Sequence, residues 1–96
     1  MKRMTVVFSP LALDDVGHAV EYYEEKQTGL GKRFSGQLQL TLQSIKINPF
    51  FTTTRYDEIR CARIKKFPYL IHYQINEKES LVTIIAVYST YKEPFW

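Results

Sequence analysis

The chain predicts an α+β fold, with an antiparallel helical hairpin packed on one face of a mostly antiparallel sheet. Two apolar patterns at helical spacing fill residues 10–45, and strand-like apolar runs fill residues 59–88. A short β-branched and aromatic run precedes the helices, giving the order strand, helix, helix, strand, strand, strand. Each helix carries a single apolar stripe, so neither can bury that stripe fully against the other. A sheet has to complete the core.

Met4 to Ser9 reads as the first strand. Ser9-Pro10 then starts a helix by a definite mechanism: serine caps the free amides, and proline fits a first turn that needs no N–H. Asp14 and Asp15 follow where negative charge suits the positive end of the helix dipole. Ala12, Val16, Ala19, Val20 and Tyr23 recur at helical spacing, which carries the helix from Pro10 to about Lys26. Thr28-Gly29-Leu30-Gly31 breaks it. A second helix runs through Phe34, Leu38, Leu42 and Ile45 and stops at Asn48-Pro49. The short connection makes the pair antiparallel. Glu21, Glu24, Glu25 and Lys26 form a charged face whose simplest reading is solvation, and His18 flanks the apolar stripe at the surface.

Phe50 to Asp57 is polar and turn-prone and reads as a loop. Ile59 to Lys66 has strand character before Phe67-Pro68 interrupts it. From Tyr69 to Ile75 the pattern alternates, with Tyr69, Ile71, Tyr73 and Ile75 on one face and Leu70, His72 and Gln74 on the other. Asn76-Glu77-Lys78-Glu79 is a turn. Leu81 to Tyr88 is nearly all apolar, the mark of an interior strand covered on both faces.

With 96 residues the expectation is one domain spanning positions 1–96. A composition of 45% hydrophobic and 24% charged residues argues against a disordered chain. Seven Tyr and six Phe supply large buried areas to a small core. A net charge of +3 favours an acidic partner, either nucleic acid or an acidic protein segment. The single Cys61 excludes an internal disulfide, fits a reducing compartment and reads as a small buried hydrophobe. No charged leader precedes an apolar run, and no run reaches ~18 apolar residues, so a cytoplasmic protein is expected. His18 and His72 lie on different elements without a Cys/His cluster, so neither a metal nor another cofactor is expected.

Within this order, the run from Arg60 through Phe67-Pro68-Tyr69-Leu70-Ile71-His72-Tyr73 resembles the central signature of the RelE/ParE toxins. In that signature an arginine precedes Phe-Pro-Tyr-x-Ile-x-Tyr. Ala86-Val87-Tyr88-Ser89 with Lys92, Pro94 and Trp96 resembles the family's last strand and tail, usually Ala-Val-x-His-x-x-Arg-x-Pro with a nearby Trp. Phe8-Ser9-Pro10-Leu11-Ala12 and the Tyr22-Tyr23 pair also match. The resemblance spans nearly the whole chain. It implies the toxin of a bacterial type II toxin–antitoxin system of plasmid-stabilisation type, made with an antitoxin that wraps around it. RelE-like members cut messenger RNA on the ribosome, ParE-like members inhibit DNA gyrase, and some members have no known activity. The shared fold does not choose among these.

Metal-independent RNA cleavage needs a base for the 2′-hydroxyl, cations for the phosphorane and an acid for the leaving oxygen. The resemblance puts Arg60 and Lys92 in the catalytic positions, while the family's C-terminal tyrosine would fall past Trp96, so Tyr91 or Tyr88 would have to stand in as the proton donor. Lys92 stands where the family has arginine and lacks the planar fork that clamps a phosphate, and Ser89 stands where many members have histidine. Arg55, Arg63, Lys65, Lys66, His72 and Tyr88 are candidates for contact with nucleic acid or a protein partner. Alternation would put Arg60 and Lys66 on one face and Arg63 and Lys65 on the other. His72 would face the open side of the sheet if Tyr69, Ile71 and Tyr73 face the helices. These departures favour a ParE-like toxin acting on a protein target such as DNA gyrase. A ribosome-dependent endoribonuclease and a non-toxic structural or regulatory relative are the alternatives.

Overall fold

A serine hydroxyl joins the first strand to the rest of the molecule. In the computed structural model, which describes residues 4–90, strand β1 (Thr5–Phe8) leads into helix α1 (Pro10–Lys26). Ser9 Oγ accepts from the Ala12 amide at 3.1 Å, as an N-cap should, and donates to the Ile85 carbonyl at 3.0 Å. The first turn of α1 contains no acidic residue. Asp15 instead accepts from the Val87 amide at 2.9 Å, so it serves the sheet rather than the helix dipole.

Helix α2 (Leu30–Ile47) starts earlier than the glycines suggest, placing Gly31 inside it. The charged end of α1 is not simply solvated, because the Glu24 carboxylate accepts from the Gly29 and Gly31 amides at 2.9 and 3.0 Å. It thereby satisfies amides that the start of α2 leaves free. Gly29 takes φ 89°, a left-handed conformation that favours glycine. Gly31 is required for close approach: a Cβ there would lie 2.8 Å from the Val20 carbonyl oxygen. Gly31→Ala is therefore expected to cost about 1–3 kcal/mol, read as a lower midpoint in thermal denaturation. Gly36→Ala on the same helix meets nothing within 4 Å and is expected to be neutral or stabilising by up to about 1 kcal/mol.

The segment read as a loop after α2 is more ordered than its polarity implies. A 3-10 turn (Pro49–Phe51) is followed by a short strand β2 (Thr54–Tyr56). Strand β3 (Ile59–Arg63) ends sooner than the sequence suggests, and Lys65 and Lys66 lie in the turn before β4 (Tyr69–Asn76). Lys66 has φ 72°, which no strand residue adopts. Strand β5 (Leu81–Ser89) closes the sheet in the order β1-β5-β4-β3-β2, with only β1 and β5 parallel.

The registers place Ala62, Ile71 and Val87 in one row and Tyr73 beside Ile84, all buried with the apolar stripes of both helices. At the crossing of β4 and β5, His72 pairs with Ala86 but Tyr73 pairs with Ile84, so Ile85 is an extra residue. Such a bulge disturbs the ladder locally. The N-cap Ser9 bonds the carbonyl of Ile85 itself, and Asp15 of α1 bonds the Val87 amide two residues on. An aromatic cluster then locks the hairpin to the sheet: Phe34 stacks on Tyr23 at 5.4 Å and meets Phe67 and Tyr69 edge-on at 5.2 and 5.1 Å.

Candidate functional site

The residues singled out in the sequence do not converge on one groove. Pairing puts Arg60 beside Tyr73, in a helix-side row, and Arg63 beside Leu70 on the opposite face. Alternation thus holds for the two arginines, but it does not extend to Lys65 and Lys66, which leave the strand. Both lysines are exposed in their turn. Tyr91 and Lys92 lie outside the described residues.

Arg60 is engaged in holding the chain together. Its guanidinium donates to the Thr52 carbonyl and lies 5.1 Å from the centre of the Phe50 ring. Tyr73, fully buried beside it, donates to the Pro49 carbonyl at 2.7 Å, so the Thr52 hydroxyl donates to Tyr73 Oη at 2.6 Å. Together they pin the 3-10 turn and β2 to the sheet. Ser89, where the family signature has histidine, pairs with Tyr69 at the other end of β4. Tyr69 and Tyr73 are four residue steps apart, on the order of 13 Å of strand. Arg60 and Ser89 therefore cannot act on one phosphate together. Ser89 instead lines a groove of about 630 Å³ with His18, Tyr22, Lys26 and Tyr69.

The face away from the helices carries a second group. Cys61, His72 and Ala86 share a row, with Arg63, Leu70 and Tyr88 in the next. His72 lies on this face as alternation requires, yet it is 1% exposed rather than presented to a ligand. Tyr56 and Tyr88 meet its ring edge-on, with centroids 5.9 and 5.4 Å away. Tyr56 Oη is 2.9 Å from Nδ1, and Cys61 Sγ is 3.4 Å from the same atom. Burial, reinforced by the Arg55 guanidinium, lowers the His72 pKa to about 4. Burial also pushes the Tyr56 phenol up to about 12, with Cys61, Tyr88 and Asp57 adding smaller increments. At neutral pH the ring is therefore uncharged and the phenol protonated, and the direction of the Tyr56–Nδ1 hydrogen bond follows the imidazole tautomer.

Burial pushes the Cys61 thiol up as well, and the neighbouring Arg55 only partly offsets this. A thiol so placed is a poor nucleophile. Tyr88 is likewise raised by burial and by Asp15. What this face offers is a neutral, ring-covered platform with exposed Arg55 and Arg63. Such a surface suits an anionic or aromatic partner more than it suits proton transfer. Tyr56 and Cys61 were not legible as part of this group, since one fell in an expected loop and the other read as packing. The β-branched and aromatic run Thr52-Thr53-Thr54-Arg55-Tyr56 was the available signal for β2.

This architecture is the toxin fold of type II toxin–antitoxin systems. It is similar to a chain of the chromosomal ParDE system from P. aeruginosa, with TM-score 0.78 and 9% identity, covering 91% of this chain and 96% of that one. It is also similar to a chain of the toxin–antitoxin complex RelBE2 from Mycobacterium tuberculosis, with TM-score 0.65 and 18% identity over 93% of each chain. The isolated E. coli RelE toxin is more distant, at TM-score 0.53 and 15% identity, covering 94% of this chain and 87% of that one. At these identities the likeness shows the fold alone. No curated protein sequence matches the chain. The family model for the ParE toxin of type II toxin–antitoxin systems, parDE, matches residues 6–93, and the chain belongs to that family.

Proposed function

We propose that this protein is a ParE-like toxin that acts on a protein target such as DNA gyrase and is neutralised by a cognate antitoxin. The observation that carries this reading is the state of the face on which a histidine base would be expected. His72 is buried and uncharged beneath Tyr56 and Tyr88, and Arg60 is committed to the Thr52 carbonyl. Both groups act in cohesion, which supports recognition over cleavage. Exposed Arg55 and Arg63 suit an acidic antitoxin segment, whose encounter they would accelerate more than they set its final affinity. The reading places the protein in the bacterial cytoplasm.

The test is to induce the chain alone in a bacterial host and follow plasmid supercoiling, chromosome breaks and messenger RNA 5′ ends over the first minutes. Growth arrest with altered DNA topology and no new RNA ends is expected. New ends in translated frames, lost in a Lys92→Ala variant, would instead establish a ribosome-dependent endoribonuclease. Growth without arrest would make the protein a non-toxic relative.

A further inference from the structure

The two edges of the sheet are treated differently. Strand β2 is a blunted edge, three residues long, with a register irregularity between Thr54 and Tyr56 and an exposed arginine at Arg55. Strand β1 is only one residue longer but lacks the other devices: Thr5-Val6-Val7-Phe8 contains no charge, proline or bulge. Its backbone directions can be read from its bonds. The Thr5 and Ser9 amides donate to the Ser80 and Ile84 carbonyls, at 2.8 and 2.9 Å, on the β5 side. Alternate residues of a strand point opposite ways, so the N–H and C=O groups of Val6 and Phe8 point outward. Met4, in the same outward phase, donates to the Lys46 carbonyl at the end of α2 at 3.1 Å. No described strand lies beyond Val6 and Phe8.

We propose that this edge pairs with the β1 edge of a second copy of the chain, in antiparallel sense about a two-fold axis through Val7. Val6 of each copy then exchanges backbone hydrogen bonds with Phe8 of the other, and the Val7 side chains face each other across the axis on the open face. Val7 is 40% exposed, an apolar side chain at the centre of an unpaired edge. The two ends of the edge are also complementary. The beginning of β1 adjoins the α2 terminus, with exposed Lys46 and Ile47, while its end leads through Ser9 into α1, whose second turn begins with exposed Leu13 and Asp14. An antiparallel two-fold sets each beginning beside the other copy's end, matching cation to carboxylate and apolar to apolar. Isologous pairing requires this self-complementarity. A parallel arrangement would set like ends together.

Sedimentation equilibrium on the full chain, made without an antitoxin, tests the proposal. The wild type is expected to dimerise. Val6→Pro removes an outward N–H and no bond to β5, so it is expected to be monomeric with an unchanged circular dichroism spectrum. Val7→Lys and Val7→Glu are each expected to be monomeric, since like charges would meet across the axis, and their equimolar mixture is expected to recover the dimer. That pair decides the matter even if the proline variant fails to fold. A wild type that stays monomeric up to about 1 mM, where only the weakest specific contacts are half formed, overturns the proposal. So does a dimer that survives in all three variants, which would place the contact elsewhere.

Discussion

Replacing Phe34 by alanine is expected to cost about 3–5 kcal/mol, a large share of the ~5–15 kcal/mol that holds a small domain folded. Phe34 is 0% exposed, and its ring is where α1, α2, the β3–β4 turn and β4 meet. Truncation removes the stacked contact with Tyr23 and both edge contacts to Phe67 and Tyr69 in a packed interior that cannot collapse around the gap. Urea and thermal denaturation measure the loss, with a midpoint shift of roughly 4–8 °C per kcal/mol for a domain of this size. Leu40→Ala is the control, on the same helix but 62% exposed, and is expected to change stability by less than about 0.5 kcal/mol. Equal effects from the two would mean that the aromatic cluster does not join hairpin to sheet.

That cluster also shows why so much of the fold could be read in advance. Phe34 belongs to a 3.6-residue pattern, Tyr69 to a period of two, and each period reports which face of its element is buried. Both helices and the alternating strand emerged from those periods, the interior strand from its unbroken apolar run, and the Ser9-Pro10 start was legible because its residues have a specific capping role. What stayed hidden was of another kind. β2 is only three residues long, too short to display a period. The parallel pairing of β1 with β5 depends on a connection through both helices, which local pattern cannot register. Glu24 looked like one of several surface acids until the turn brought the Gly29 and Gly31 amides to it.

The candidate site was less legible than the fold, for a physical reason. Residue type sets what a group can do, but neighbours across the sheet set what it is free to do. Arg60 was read as catalytic through the family resemblance, and in the structure its guanidinium donates to the Thr52 carbonyl. His72 was placed on the correct face, yet Tyr56, from a segment read as loop, stands against it. Its burial therefore could not be inferred from β4 alone. Lys65 and Lys66 look like part of a basic strand, but the left-handed turn at Lys66 carries them away from it.

Acid is expected to destabilise the protein through His72 specifically. The folded-state pKa is lowered to about 4 from an ordinary 6.5, chiefly by burial. The unfolded chain therefore takes up this proton first as pH falls, so the His72 contribution to stability is complete above pH 6.5 and declines between 6.5 and about 4. Below that it changes no further. The difference between the two pKa values corresponds to about 3 kcal/mol. Carboxylates titrate in the same range, so the informative quantity is the wild type compared with His72→Gln, whose side-chain amide can donate to or accept from Tyr56 but gains no proton. Urea denaturation from pH 7.5 to 4 is expected to show the wild type losing about 3 kcal/mol more than the variant. Parallel curves would mean that the imidazole titrates as it does in water. A titratable base would then stand on the face beside Arg55 and Arg63, and the main physical argument against RNA cleavage at this site would be gone.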